Sequence, residues 1–169
     1  MKIADQNSME QFRKFNEKLN KIDLDEKYFF AFTNTDGFTP RLLQAQLVVD
    51  YDYNFELELS AFMHEDKTVN KSNSITEKGK LPKQLLQCLE DLLMSDYLSL
   101  KSNYDFETFI ITGTGHQQYL FSLEKTTTNI DIVDGLPEEY FQSISEKKLF
   151  AFNEYLKELT ANKYQNWAK

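Results

Sequence analysis

Residues 43 to 63 alternate. Leu43, Ala45, Leu47, Val49, Tyr51, Tyr53, Phe55, Leu57, Leu59, Ala61 and Met63 occupy every odd position without a break, and nearly every even position between them is polar. In an extended chain successive side chains point to opposite faces, so a period of two marks a half-buried β-strand. At a rise of about 3.3 Å per residue the stretch would run about 70 Å as one strand, whereas a compact domain of this size is only about 40 Å across. The chain must therefore reverse within it. Asp50, Asp52 and Asn54 supply turn chemistry, and a loop with an odd number of residues keeps every odd position on one face. A hairpin that reverses near Asp52 is predicted, with its oily face buried and its even-position face open.

That second face is acidic. It carries Asp50, Asp52, Glu56 and Glu58, with Glu65 and Asp66 just beyond, and no Lys or Arg occurs between Arg41 and Lys67. A second acidic tract runs from Asp105 to Tyr140, with Lys125 as its one basic residue; between the two tracts, Lys67 to Lys83 holds five lysines against Glu77. The formal net charge is −8. A field of this sign repels nucleic acid and anionic membrane surfaces, and attracts a basic protein or simply confers solubility. Tyr51 and Tyr53, at the predicted turn, are the residue type that tends to dominate binding energy. The expected partner-binding set is thus Asp50, Tyr51, Asp52, Tyr53, Glu56, Glu58, Glu65 and Asp66.

Length sets further bounds. A chain of 169 residues fits one domain with a real core. No run of about 20 apolar residues is present to span a bilayer, and the opening MKIADQNSMEQF lacks the apolar segment of a secretory signal. The single cysteine, Cys88, has no partner for an internal disulfide or a metal motif. A cytoplasmic location is the expectation.

In chain order, Ser8 with Gln11 has capping-box spacing, and Met9, Phe12, Phe15, Leu19 and Ile22 recur at three to four residues, so a helix is predicted from about Ser8 to Asn20. Lys27 to Thr33 reads as a short strand, with turn chemistry in Asn34-Thr35-Asp36-Gly37. After the alternating stretch, residues 64–80 have little periodicity and few large apolar groups, and are expected as a polar, mobile connection, with an extra edge strand or a basic arm that a partner orders as the alternatives. Leu81 to Met94 is a helix with a leucine stripe at 81, 85, 86, 89, 92 and 93. Strands are predicted over Phe106 to Thr112, Tyr119 to Glu124 and Thr128 to Val133, then a last helix from Ser143, capped with Glu146, to Leu159.

Three features bear on chemistry. Gly113-Thr114-Gly115-His116 is glycine-rich, but a phosphate cradle needs a following helix whose N–H groups face the anion, and a strand is predicted there instead. His64-Glu65-Asp66 sits on an extended chain whose adjacent side chains diverge, so the triplet does not chelate by itself. Glu56 and Glu58 share a strand face without a deduced neighbour to separate their pKa values. No catalytic residue, cofactor or metal ligand is assigned, and the protein is expected not to be an enzyme.

The expected architecture is a single α+β domain: an antiparallel sheet of about five or six strands, with three helices packed mainly on one face. The order helix, three strands, helix, two or three strands, helix, together with small size and acidity, resembles the class I bacterial secretion chaperones over most of the chain. That resemblance implies a dimer and a groove or sheet edge that holds an extended polypeptide. The residues favour a non-catalytic inhibitor of the toxin-immunity kind, a bacterial protein covering the basic active site of a nuclease or similar toxin. A chaperone or adaptor is the second expectation, and a small enzyme or ligand-binding protein with a pocket between sheet and helices the third.

Overall fold

The computed structural model describes residues 24, 26–36, 41–65, 69–106, 114–124 and 126–167, with the side chains of 41–42, 62–65 and 69–73 excepted. Strands β1 (Tyr28–Thr35), β2 (Arg41–Asp50), β3 (Asn54–Glu65) and β4 (Val69–Lys80) come first, then helix α1 (Lys83–Leu93). Strands β5 (Asn103–Tyr104), β6 (His116–Leu123) and β7 (Thr126–Val133) follow, and helix α2 (Ile144–Trp167) closes the chain. The strands form one seven-stranded sheet in the order β4-β3-β2-β1-β6-β7-β5. The α+β class holds.

The alternating stretch is a hairpin centred on Asp52. Ala45 pairs with Leu59, Leu47 with Leu57 and Val49 with Phe55, so the three-residue turn 51–53 leaves every odd position of both strands on one face. Phe30 and Phe32 of β1 lie opposite Val49 and Leu47, and opposite Phe121 and Tyr119 of β6. These side chains, with Ile130 and Ile132 of β7, are buried beneath Leu85, Leu89 and Leu92 of α1 and Leu149, Phe152 and Leu156 of α2. Helix α2 crosses the sheet obliquely. Phe152 packs on Phe30 and Tyr119 at ring distances of 5.7 and 6.1 Å, whereas in the last turn of the helix the Tyr164 hydroxyl donates to the carbonyls of Gln44 and Ser60 on β2 and β3.

Several expectations change. Residues 69–80 are not a connection but the edge strand β4, paired with β3 from Asn54↔Lys80 to Glu65↔Val69. Their sequence, VNKSNSITEKGK, lacks an oily stripe because residues 74–80 are all exposed; the ladder to β3, rather than a buried face, holds the strand. With this strand and the two-residue β5 the sheet has seven strands among the described residues, where five or six were expected. The sheet is also not purely antiparallel, since β5 runs parallel to β7. Among the described residues there are two α-helices rather than three; the predicted helix over 8–20 lies outside them, as do 107–112 of the predicted strand at Phe106. Helix α2 continues past Leu159 to Trp167, because Thr160 and Tyr164 extend the inward row of Leu149, Phe152 and Leu156. Its start is as predicted: the Ser143 hydroxyl accepts from Glu146 N, and Glu146 Oε2 accepts from Ser143 N at 2.8 Å.

The second face of the sheet is not open throughout. Ala31, Thr33, Gln44 and Leu120 share it and are buried. Exposure on that face is concentrated toward the hairpin turn. No helix of the described residues is long and apolar enough to cross a membrane.

Candidate functional site

The predicted binding residues gather at the β2–β3 turn. Asp50 builds it: one carboxylate oxygen accepts from the backbone N–H of Asp52 at 2.9 Å and of Asn54 at 2.8 Å, and the other accepts from Asn54 Nδ2 at 2.8 Å. The Asn54 side chain foremost, aided by those backbone donors, holds the Asp50 carboxyl below its ordinary range. Tyr53 donates its backbone N–H to Asp50 O and sits at φ 59°. A side chain in that left-handed region costs about 1–2 kcal/mol, and Tyr53 offsets it by packing edge-on against Phe29 at 5.9 Å. Tyr51 also lies on Phe29, at 5.5 Å, and its hydroxyl donates to Ser122 O on β6. It nonetheless remains 57% exposed.

The four acids of this face differ in what they touch. Glu56 is engaged: Lys78 of β4 lies 2.9 Å from it and Lys27 4.0 Å, and the Tyr28 hydroxyl donates to it at 2.9 Å. Lys78 and Tyr28 hold its carboxyl below the ordinary value. Lys80 reaches over the turn to donate to Asp52 O. The six acids that lack a neighbouring base along the chain are thus partly balanced in space, because β4 folds its lysines back against β3. Lys27, Tyr28, Glu56, Lys78 and Lys80 line a shallow hollow of about 410 Å³. Asp52 and Glu58 are exposed and have no ion pair among the described residues. Glu65 ends β3 with its side chain outside the description, and Asp66 lies outside the described residues.

A second site, not anticipated from the sequence, lies at the opposite end of β1, where α2 crosses it. A cavity of about 790 Å³ opens there between Asn34, Asp36 and Leu43 on the sheet side and Glu154, Glu158 and Thr160 on the helix. Behind it, joined to the lining residues Asn34, Asp134 and Thr160, runs a seam of polar side chains in an otherwise apolar interface. Gln117 Nε2 donates to Asn34 Oδ1 at 3.0 Å and to Asp134 Oδ1 at 3.4 Å, Asn34 Nδ2 donates to the Thr160 hydroxyl, and the Tyr119 hydroxyl donates to Asn153 Oδ1 at 2.6 Å. Burial holds the Tyr119 hydroxyl firmly protonated. Gln117 is 1% exposed, yet its Oε1 has no hydrogen-bond partner among the described residues, where an unsatisfied buried acceptor costs about 1–3 kcal/mol. Rotating the amide does not help, since it would set an oxygen against two acceptor oxygens. At the cavity mouth Lys157 bridges Asp134 at 2.8 Å and Glu154 at 3.2 Å. Burial alone would lower its pKa, but the two carboxylates outweigh that and raise it.

The signal for this seam was faint but present. Asn153 and Thr160 occupy inward positions of α2 beside Phe152 and Leu156, and polar residues on an inward stripe ask for partners. In the sequence Asn34 opens a predicted turn and Gln117 directly follows the glycine-rich segment, and it is the β1–β6 pairing that sets them opposite each other. The other sequence features separate. His116 begins β6 and meets Asp131 of β7 at 3.0 Å on the second face, with a strand following Gly115 and no helix there. The side chain of His64 lies outside the description. Cys88 is half-buried in α1, and burial pushes its thiol up. Among the described residues no three His, Cys, Asp or Glu are grouped as metal ligands. Compared with known proteins, the chain matches no family model and no curated protein sequence.

Proposed function

We propose that the protein is a non-catalytic binding domain for a basic protein, and in its finest form an inhibitor of the toxin-immunity kind that covers the basic active site of a nuclease or similar toxin. The observation that carries this reading is the turn at 51–53. It is preorganised by the Asp50 carboxylate and by Phe29, and it presents Tyr51 and Asp52 to solvent, with Glu58 further along the same strand pair. A rigid aromatic anchor beside unpaired carboxylates loses little entropy on binding and retains its charge for a cationic partner. The net charge of −8 adds a long-range field that favours such an encounter.

The variant that tests this must keep the fold, which a thermal melt checks. Asp50 holds the turn and Glu56 holds Lys78, so replacing them would confound folding with binding. Tyr51→Ala, Asp52→Asn and Glu58→Gln together remove the exposed ring, with its Phe29 contact and its bond to Ser122 O, and two charges without an ion pair among the described residues; Asp52→Asn with Glu58→Gln alone leaves the Tyr51 contacts in place. Capture of a basic protein by the wild-type chain at low salt, weakened at least tenfold in the triple variant and further by salt, is expected. Equal affinity in the triple variant, as read by calorimetry on the captured protein, would contradict it.

A second reading is favoured by β4. This strand is 12 residues long and forms one edge of the sheet, and an extended polypeptide adds to such an edge through main-chain hydrogen bonds. That would suit a chaperone or adaptor. Lys78 and Lys80 on the same strand are the residues that discourage edge pairing, which is why the turn is placed first.

A further inference from the structure

We infer that the second face of the sheet is a docking surface for the chain's own N-terminal segment, residues 8–22, which lies across β6, β1 and β2 as a third layer. Leu120, Ala31, Thr33 and Gln44 form a buried strip on that face. Sheet neighbours do not account for the burial. Leu120 is flanked by Ala31 and Asn129, and Gln44 by Thr35 and Ser60, all smaller than the side chain between them. A leucine or glutamine so flanked on a bare sheet stands clear of its neighbours, yet each is only 7% exposed. The rest of the described chain is engaged elsewhere. Helices α1 and α2, with Leu100, Leu136 and Phe141 from the loops, pack on the first face around Phe30, Phe32, Tyr119 and Phe121, and Ala31 and Leu120 stand outside that cluster.

Length, reach, pattern and charge name the occupant. Met9, Phe12, Phe15 and Leu19 recur at helical spacing, with Ile22 just beyond, and as a helix Met9 to Leu19 is about 15 Å long. The strip crosses from β6 over β1 to β2 and advances along β1 from Ala31, opposite Leu120, to Thr35, opposite Gln44, a diagonal of about 16 Å. Chain direction fits as well. β1 starts beside the 51–53 turn, with Tyr28 opposite Asp50, and the link from Asn20 to Tyr28 can span about 26 Å, enough to bring a helix back over the strand it precedes. Residues 8–22 carry Arg13, Lys14, Lys18 and Lys21 against Glu10 and Glu17, so four bases less two acids leave a formal +2, and Glu56 and Glu58 border the strip on β3. The other internal segments outside the described residues are too short. Residues 37–40 and 66–68 only join adjacent strands. Residues 107–113, held at Phe106 and Thr114, extend about 12 Å before they must return, which falls short of Leu120, about 13 Å along β6 from His116, and of β2 beyond it. Docking of residues 8–22 leaves the 51–53 turn at the end of the sheet uncovered, and it stands or falls separately from the binding reading above.

Nuclear Overhauser contacts in the full chain, with the methyl groups of Ala31 and Leu120 labelled, test this docking. Cross-peaks from those methyls to ring or methyl protons of Phe12, Phe15, Leu19 or Ile22 are expected. Phe12→Ser with Phe15→Ser in the full chain should shift both sets of methyl resonances and raise the binding of an apolar fluorescent dye several-fold, while the Leu89 methyls in the first-face core keep their positions and so report an intact fold. Glu10→Gln with Glu17→Gln, on the side of the helix opposite the apolar stripe, should leave the Ala31 and Leu120 methyls where they are. Contacts with residues 107–113 alone overturn the inference, as do contacts that a mixture of labelled and unlabelled chains assigns to a second copy, or no contact from outside the sheet. So does an unchanged Leu120 resonance in the folded double serine variant, or an equal shift in the double glutamine variant. If the serine variant loses the Leu89 resonances, the contacts in the wild-type chain decide alone.

Discussion

At the scale of single residues, three carboxylates do structural work that their charge alone would not suggest. Asp50 ties the hairpin turn, Glu56 receives Lys78 and Tyr28, and Glu146 closes the first turn of α2 while accepting from the buried Tyr104 hydroxyl at 3.2 Å. Burial would raise the Glu146 carboxyl, but the N–H groups of Ser143 and Gln142, with Tyr104 and Lys101, together hold it below its ordinary value. All three therefore ionise more readily folded than unfolded. A depressed folded pKa gives stability that is fully present above the unfolded value and is lost as pH falls through the folded one. Urea midpoints should accordingly be flat near neutrality and decline on acidification below about pH 5. Glu146→Gln is expected to cost about 1–2 kcal/mol at neutral pH and to make that decline shallower. A decline of the same steepness in the variant would show that Glu146 does not contribute to it.

At the scale of elements, what was legible in the chain was what buries a face. The 43–63 rhythm gave the β2–β3 hairpin and its turn, and the leucine stripe gave α1, because both segments pack one side against the core. β4 hid its identity for the opposite reason: a strand stabilised by its ladder to β3 and exposed along 74–80 needs no apolar alternation. The far end of α2 hid because Lys, Asn and Gln surround Tyr164 in sequence, although its ring is buried and its hydroxyl bonds the carbonyls of two strands. Tyr164→Phe should cost about 1 kcal/mol. Ending the chain after Leu159 should cost about 3 kcal/mol or more, the scale of deleting a large buried aromatic. Thermal melts of the two variants check this ordering, and a truncated chain as stable as the full one would mean that the last two turns of α2 do not clamp the sheet.

At the scale of the whole molecule, the acidity visible in the composition is not spread as the linear order of residues suggested. Lys78 and Lys80 return from β4 to the acids of β3 and the turn, so the face near Glu56 is mixed in sign, while Asp52 and Glu58 have no ion pair among the described residues. The cavity beside α2 collects Asp36 from just past β1, Asp134 from just past β7, and Glu154 and Glu158 from the helix, parts that no local motif joins. Charge in this fold is therefore a matter of which strands lie side by side, and pairing of that kind cannot be read from spacing. The proposed partner docks on the rigid aromatic turn rather than on the β4 edge. Hydrogen exchange on the full chain, free and bound to the basic protein it captures, tests this most directly. Protection gained over 50–58, with 74–80 unchanged, is the predicted footprint. Protection gained along 74–80, with 50–58 unchanged, would contradict it.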